Sequence, residues 1–143
     1  MTRAELQAVT DRLIEATNRH DPKALTALYA ADATVDSPMF ATLHGRAAIE
    51  DSFRNFFKIF PDVVITIEDV LIDPPGMAVT TRNTATQQGE LFGLPPTHRH
   101  VEFVVTRIVT CADGLIASER RIYDFTGLLV QLGVLRARPA KPA

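Results

Sequence analysis

The sequence is poor in the features that mark disulfide-rich, nucleic-acid-binding or membrane proteins. Its 143 residues include one cysteine and no tryptophan, and aromatic residues make up 7%. Cys111 cannot form a disulfide within the chain, and nothing near it in sequence would activate it, so we interpret it as a core residue. The formal net charge of −2 gives no electrostatic basis for a nucleic-acid partner.

Long hydrophobic runs are also missing. No apolar run reaches the ~18–20 residues that a membrane-spanning helix needs. The residues Met1–Glu5 lead into an amphipathic pattern and not into the apolar block of a signal peptide. We therefore expect a cytoplasmic protein without a membrane partner. Length and an apolar content of 46% fit a single domain, which we place at 1–135, with a flexible tail at 136–143.

Apolar residues recur at helical spacing near the N-terminus. Thr2 and Glu5 form a capping box for a first helix that extends to about Arg19. The pair Asp21–Pro22 predicts the start of a second helix, because aspartate caps helices and proline fits their first position. The buried stripe of this second helix is predicted to end at Tyr29.

A strand and a third helix follow. Ala33–Pro38 contains β-branched residues and ends in proline, which favours a short strand, and a loop is predicted to continue through Gly45. The segment Arg46–Phe60 predicts a helix with large apolar residues on one broad face: Ile49, Phe53, Phe56, Phe57 and Phe60. Such a stripe most simply packs against a sheet.

From Val63 onward, apolar residues alternate with polar ones, as in half-buried strands. The predicted strands are Val63–Glu68, Met77–Gln88, Thr97–Thr110 and Leu115–Phe125, followed by a short helix at Gly127–Leu132. Helices first and then antiparallel strands indicate an α+β fold, with the helices packed on one face of a curved sheet.

The segment Gly89–Thr97 interrupts this pattern. It has the sequence Gly-Glu-Leu-Phe-Gly-Leu-Pro-Pro-Thr, and its glycines and adjacent prolines cannot lie inside a helix or a central strand. We interpret it as a rigid corner between two strands and call it the corner segment.

The corner segment resembles the G-x-x-F-G-x-P-P-T motif of the SnoaL-like polyketide cyclase and ester cyclase family. The segment Asp124–Gly133 resembles the D-x-x-G-L-L-x-Q-L-G motif of the same family. The resemblance covers nearly the whole chain. It implies a nuclear-transport-factor-like fold, in which helices pack on the concave face of a cone-shaped, curved antiparallel sheet and close an internal hydrophobic pocket.

The resemblance also implies a function. Family cyclases close a ring by an intramolecular aldol reaction without metal or cofactor, and the aspartate at the position of Asp124 acts as general acid and base. We accordingly predict Asp124 as the catalytic residue, and Arg120, Gln87, Ser37 and Phe92 as substrate-binding residues. Gln87 departs from the family, whose members often carry histidine there, and its amide cannot transfer a proton at ordinary pH.

Two questions about these residues stay open at the level of sequence. Asp124 can instead cap the last helix, because a carboxylate just before a helix N-terminus is favourable. Arg120 and Arg121 point to opposite faces of a strand, and the register of the ketosteroid isomerases, which share the fold, turns Arg121 and Tyr123 inward. A bulge would reverse the choice between the two arginines.

Other chemistries fit less well. The isomerases need an aspartate base on the first strand, and ungapped alignment puts Ser37 there, beside Asp36. An epoxide-hydrolase arrangement of aspartates and arginine is not specified by the spacing. His98 and His100 share a strand face without a recognisable third ligand, so we predict no metal.

The predicted function is therefore a cofactor-independent enzyme of SnoaL-like type, with cyclase or isomerase-like chemistry on a small apolar substrate. The alternative is a non-catalytic protein that binds a small apolar ligand in the pocket. We also expect a homodimer through the outer face of the sheet, where alternation leaves Val64, Val104 or Ile108 uncovered.

Overall fold

The computed structural model describes residues 1–136. Its elements, in chain order, are α1 (Arg3–Asn18), α2 (Pro22–Thr26), β1 (Tyr29–Ser37), β2 (Phe40–His44), α3 (Arg46–Ile59), β3 (Val64–Asp73), β4 (Gly76–Thr86), β5 (His100–Ala112), β6 (Leu115–Ile122) and α4 (Phe125–Gln131). The predicted tail at 136–143 lies outside the described residues except for Arg136. Within the described chain, no helix combines the length and apolar character that crossing a membrane requires.

The strands form one curved, unclosed, six-stranded sheet in the order β2-β1-β6-β5-β4-β3. Neighbouring strands are antiparallel except for β1 and β6, which run parallel. The predicted α+β fold with N-terminal helices on a curved sheet is confirmed, with this one parallel pair added. The parallel pair joins the first strand of the chain to the last, and so brings residues near position 30 against residues near position 120.

The helix starts follow the local sequence. The Thr2 hydroxyl accepts the Glu5 backbone N–H at 3.1 Å, and the Glu5 carboxylate accepts the Thr2 backbone N–H at 2.7 Å, so the predicted capping box is confirmed. The Asp21 carboxylate accepts the Ala24 backbone N–H at 3.0 Å and caps α2 as predicted.

Two segments differ from the sequence prediction. Tyr29 is the first residue of β1 and not part of a helical stripe, and Phe40–His44 is strand β2 and not a loop. β2 is a short strand at the edge of the sheet, and its only strand partner is β1. An edge strand of this kind depends on pairing with its neighbour, so the residues of β2 by themselves predict a strand only weakly.

The core lies between the helices and the inner face of the sheet. Along β4 and β5 the odd-numbered residues turn inward, and they include the buried Met77, Val79, Ala85, Val101 and Val109. The even-numbered residues form the outer face. Val104 and Ile108 on that face are 37% and 38% exposed.

Candidate functional site

A cavity of about 330 Å³ lies between α3 and the inner face of the sheet, bordered by β1, β2 and the corner segment. Its lining is mostly apolar and includes Met39, Phe40, Leu43, Phe53, Phe56, Phe57, Leu91, Phe92, Phe103 and Val105. The polar lining consists of Thr17, Ser37, Ser52, Asn55, Asn83, Arg107, Arg121 and Tyr123. An apolar cavity with a few polar groups is the usual form of a small-molecule site.

A buried ion pair holds Arg121 at this cavity. The Arg121 Nε donates to Glu119 Oε2 at 2.5 Å, and the Tyr29 hydroxyl donates to Glu119 Oε1 at 2.8 Å. Glu119 is 2% exposed and Tyr29 is fully buried. The Arg121 guanidinium also lies over the Phe53 ring, 5.2 Å from its centroid. The ion pair with Glu119 and the contact with the Phe53 ring together fix the orientation of the guanidinium.

A bulge in β6 decides which of its side chains face inward. Ile116 pairs with Cys111, and Ser118 pairs with Thr110. Cys111 and Thr110 are consecutive on β5, so β6 carries one extra residue, Ala117, between the two pairs. An extra residue reverses the alternation beyond it. Ile116 is therefore buried before the bulge, and Glu119, Arg121 and Tyr123 face inward after it.

Arg107 on β5 stands directly opposite Arg121. It is buried, and its Nη1 donates to the Thr81 hydroxyl at 3.2 Å, which donates in turn to Asn83 Oδ1 at 2.8 Å. Like charges directly opposite each other on a sheet are destabilising, and the Glu119 carboxylate offsets this repulsion. Strand pairing thus gathers two guanidinium groups around one buried carboxylate.

The pKa directions follow from this arrangement. Burial alone would raise the pKa of Glu119, but the charges of Arg121 and Arg107 outweigh burial and hold the pKa below its ordinary value. Burial lowers the pKa of the Arg107 guanidinium despite the attraction of Glu119. For Arg121, burial acts to lower the pKa, but the charge and hydrogen bond of Glu119 together with the contribution of Tyr29 outweigh burial and raise the pKa. The folded state therefore favours an ionised Glu119.

Tyr123 shares a hydrogen bond of 2.8 Å with the Ser37 hydroxyl at the same cavity. Burial raises the pKa of the Tyr123 phenol, although Ser37 and the Arg121 charge act in the opposite direction. The phenol therefore keeps its proton at neutral pH and can donate it in a hydrogen bond to a bound oxygen.

Arg121 also has an unused donor group. Its Nη2 is shielded from solvent and has no hydrogen-bond partner among the described residues. A buried guanidinium nitrogen without an acceptor is costly, at about 1–3 kcal/mol or more. Because Arg121 lines the cavity, a ligand oxygen there can supply the missing acceptor.

The structure places Asp124 at the N-terminus of α4. Its carboxylate accepts the Gly127 backbone N–H at 2.8 Å, and the side chain is exposed and absent from the cavity lining. The cap interpretation therefore describes its position. Its acid and base role stays a prediction.

Arg120 and Gln87 also lie away from the cavity lining. Arg120 is exposed and faces the outer side of β6, opposite to Arg121, because of the bulge at Ala117. Gln87 is fully buried but bound to the corner segment. Its Nε2 donates to the Gly89 and Pro95 carbonyls at 3.0 and 3.3 Å, and its Oε1 accepts the Thr97 hydroxyl at 2.6 Å.

The two remaining predicted substrate-binding residues do line the cavity. Ser37 does so at the end of β1, and Phe92 does so from the corner segment, where it is 66% exposed. The corner segment is positioned by the end of α3, since the Gly89 backbone N–H donates to the Ile59 carbonyl at 3.2 Å. In residues 1–136, no group of three or more histidine, cysteine, aspartate or glutamate side chains is arranged to hold a metal ion.

Sequence reasoning missed Glu119, Arg107 and the role of Tyr29. The available signal was an acidic and a basic residue two positions apart on one strand, Glu119 and Arg121, which share a face whatever the register. The contact of Glu119 with Tyr29 joins residues 90 positions apart and has no local signal.

Comparison with known proteins identifies the family. The model of the SnoaL-like polyketide cyclases matches residues 7–132. The chain belongs to this family. The family that the sequence resemblance predicts is therefore confirmed.

Solved structures of SnoaL-like and related proteins share the fold. AclR from Streptomyces galilaeus, described as a hydroxylase candidate, is 25% identical, with a TM-score of 0.85 and coverage of 96% of this chain and 91% of AclR. IdmH from Streptomyces antibioticus, a polyketide cyclase candidate, is 26% identical, with a TM-score of 0.75 and coverage of 90% and 98%. A protein with a ketosteroid isomerase-like fold from Catenulispora acidiphila is 19% identical, with a TM-score of 0.75 and coverage of 89% and 93%, and shows the fold alone.

One curated protein, a steroid Δ-isomerase from Nocardioides simplex, is 45% identical over 51 residues. The match spans 35% of this chain and 42% of the isomerase. Because less than half of the isomerase is covered, the match is a local similarity and does not assign the isomerase's activity to this chain.

Proposed function

We propose that the protein is a small-molecule enzyme of SnoaL-like type that binds a mainly apolar substrate in the cavity and stabilises negative charge on a substrate carbonyl oxygen. The observation that carries this proposal is the pair Arg121, on β6, and Tyr123, just after the end of β6, which both lie at the polar part of an otherwise apolar lining. A cation and a protonated phenol are the groups that stabilise an enolate.

The two groups have separate tasks. Tyr123 donates its proton in a hydrogen bond to the carbonyl oxygen, because its raised pKa keeps the phenol protonated. Arg121 provides a positive charge that the Glu119 pair and the Phe53 ring hold in place. Donors fixed before the reaction need no rearrangement as charge develops, which is the main advantage of an enzyme site over water. The reaction class is therefore enolate-forming, as in ring closure or double-bond isomerisation.

Proton removal from carbon also needs a base. Among the described residues, no carboxylate or imidazole side chain lines the cavity. Asp124 follows Tyr123 directly in sequence and stays the acid and base candidate, although its carboxylate caps α4 in the structure. Arg121 and Tyr123 stabilise the negative charge that develops on the carbonyl oxygen, and this stabilisation requires no cofactor.

The same observation about the lining favours a second candidate function. A cavity without a lining carboxylate or imidazole can hold an apolar ligand without transforming it. In that case the protein binds a small carbonyl compound and protects it from water. The two candidates share the ligand class and differ only in whether carbon-bound hydrogen exchanges.

Exchange of the α-protons of 2-tetralone in D₂O, followed by proton NMR, distinguishes these candidates. An enzyme increases the exchange rate above the buffer rate, and Tyr123→Phe reduces this increase by about a hundredfold or more because one oxyanion donor is lost. Arg12→Gln, on the exposed part of α1, is the control and is expected to keep the increased exchange rate. Binding of 2-tetralone without exchange supports the binding function, and absence of binding contradicts both.

The proposed assembly is a homodimer through the outer face of the sheet, in the cytoplasm. Val64, Val104, Ile108 and Ile122 lie on this face and are 51%, 37%, 38% and 49% exposed. β-branched apolar residues clustered on an uncovered sheet face are typical of a protein interface. We propose a second copy of the chain as the partner.

A further inference from the structure

We infer that the ligand of the cavity carries a permanent negative charge and is an apolar monocarboxylate, whose carboxylate lies against Arg121. The inference rests on the proposed function, because it names the class of small molecule that the cavity binds. Arg121 then holds the carboxylate through Nη2, so Tyr123 is the direct donor to the reacting carbonyl oxygen of the same molecule and the Arg121 charge acts on that oxygen only at longer range.

The charge balance at the cavity is the first argument. Arg107 and Arg121 contribute two positive charges, and Glu119 is the one carboxylate that either of them contacts within residues 1–136. Arg107 has only the neutral Thr81 hydroxyl as its bonded partner there. One positive charge at the cavity is therefore not neutralised, and an isolated buried charge is unfavourable.

The geometry of the unused donors is the second argument. Arg121 bonds to Glu119 through Nε, while Nη2 is buried and without an acceptor in the described chain. A guanidinium binds carboxylates well because its nitrogens form a rigid planar fork. A neutral ketone would satisfy a hydrogen-bond donor but would leave the excess charge in place until an enolate forms.

The remaining lining defines the rest of the ligand. Phe53, Phe56, Leu91 and Phe103 are apolar or aromatic and favour a hydrophobic ring system. The cavity volume of about 330 Å³ lies at the lower end of the range of ~300–1,000 Å³ that is usual for small-molecule sites. A single ring or a pair of fused rings that carries a carboxylate fits this space.

The test compares 2-naphthoate with 2-naphthamide by isothermal titration calorimetry at pH 7.5. The two probes have the same shape and differ in charge. We expect naphthoate to bind at least tenfold more tightly than the amide, and Arg121→Gln to remove this preference while the affinity for the amide is kept. Arg12→Gln removes the same charge from the exposed part of α1 and is expected to keep the preference.

A second variant keeps a cation beside Glu119. Arg121→Lys retains the buried ion pair but lacks the planar fork, so we expect a fivefold or greater loss of naphthoate affinity without a change for the amide. Circular dichroism checks that each variant is folded.

The possible outcomes separate the two proposals. Equal affinity for naphthoate and naphthamide overturns the inference about charge and leaves the proposed function intact, since 2-tetralone tests that function independently. A preference for naphthoate that survives in both Arg121 variants overturns the assignment to Arg121. Failure of both probes to bind overturns the inference, and the 2-tetralone measurement still decides the proposed function.

Discussion

Arg121 donates to Glu119 at 2.5 Å inside the protein, and this ion pair orients the guanidinium at the edge of the cavity. The side chain of Arg121 is 12% exposed and that of Glu119 is 0% exposed, so neither charge is solvated by bulk water. A buried ion pair of this kind contributes more to the position of its side chains than to net stability. Removing one partner is nevertheless costly, because the other charge is left buried and unpaired.

Glu119→Gln is expected to destabilise the protein by about 3–5 kcal/mol, because Arg121 loses its paired carboxylate and the repulsion between Arg121 and Arg107 is no longer offset. Urea unfolding measures the change. Glu68→Gln is the matched control: Glu68 pairs with Arg82 on the surface, and such pairs contribute about 0–1 kcal/mol. Equal effects of the two substitutions would contradict the role given to Glu119.

Glu119 also predicts a dependence of stability on pH. Its pKa in the folded chain lies below the unfolded value of about 4.3, so unfolding takes up a proton in acid. The stabilisation from this group is complete above the unfolded pKa and is lost as the pH falls through the folded pKa. Urea unfolding between pH 3 and 7 should therefore show a steeper acid loss in the parent protein than in Glu119→Gln. Parallel curves would exclude this linkage.

Gln87 is predicted to hold the corner segment. Gln87→Ala leaves the Gly89 and Pro95 carbonyls and the Thr97 hydroxyl without their partner, at a cost of about 1–3 kcal/mol. We expect faster proteolytic cleavage within 89–97 along with the lower stability. Gln88→Ala changes the exposed neighbouring residue and is expected to have neither effect. Loss of ligand binding without loss of stability would instead support the substrate-binding role predicted from sequence.

Asp124 can be tested as a cap and as an acid. Asparagine caps helices as well as aspartate does, so Asp124→Asn should preserve thermal stability, whereas Asp124→Ala should lose about 1 kcal/mol. The 2-tetralone exchange rate measures the catalytic role in the same variants. A stable Asp124→Asn that no longer exchanges would support the predicted acid and base role, and full exchange would limit Asp124 to capping.

The outer face of the sheet is predicted to form the dimer. Ile108→Glu places a charge among the exposed apolar residues of β5 and should shift sedimentation from dimer to monomer. Val134→Glu, which changes an exposed apolar residue after α4, is the control and should leave the mass unchanged. A parent protein that sediments as a monomer would exclude this interface.

The sequence by itself determined the larger features of the fold. The capping box at Thr2 and the Asp21 cap are local interactions within one turn, so residue identity is enough to predict them. The segments Met77–Gln88 and Thr97–Thr110 were predicted as strands and correspond to β4 and β5, because alternation is a property of any strand. The family motifs are local strings and could be read directly.

Only the tertiary structure decided the site. Alternation guaranteed that Arg120 and Arg121 face opposite ways, but the bulge at Ala117 decided that Arg121 turns inward. Pairing of β1 with β6 brought Tyr29 to Glu119, a contact between residues far apart in the chain. Register and strand order depend on interactions summed over the whole sheet, and no short stretch of sequence contains that sum.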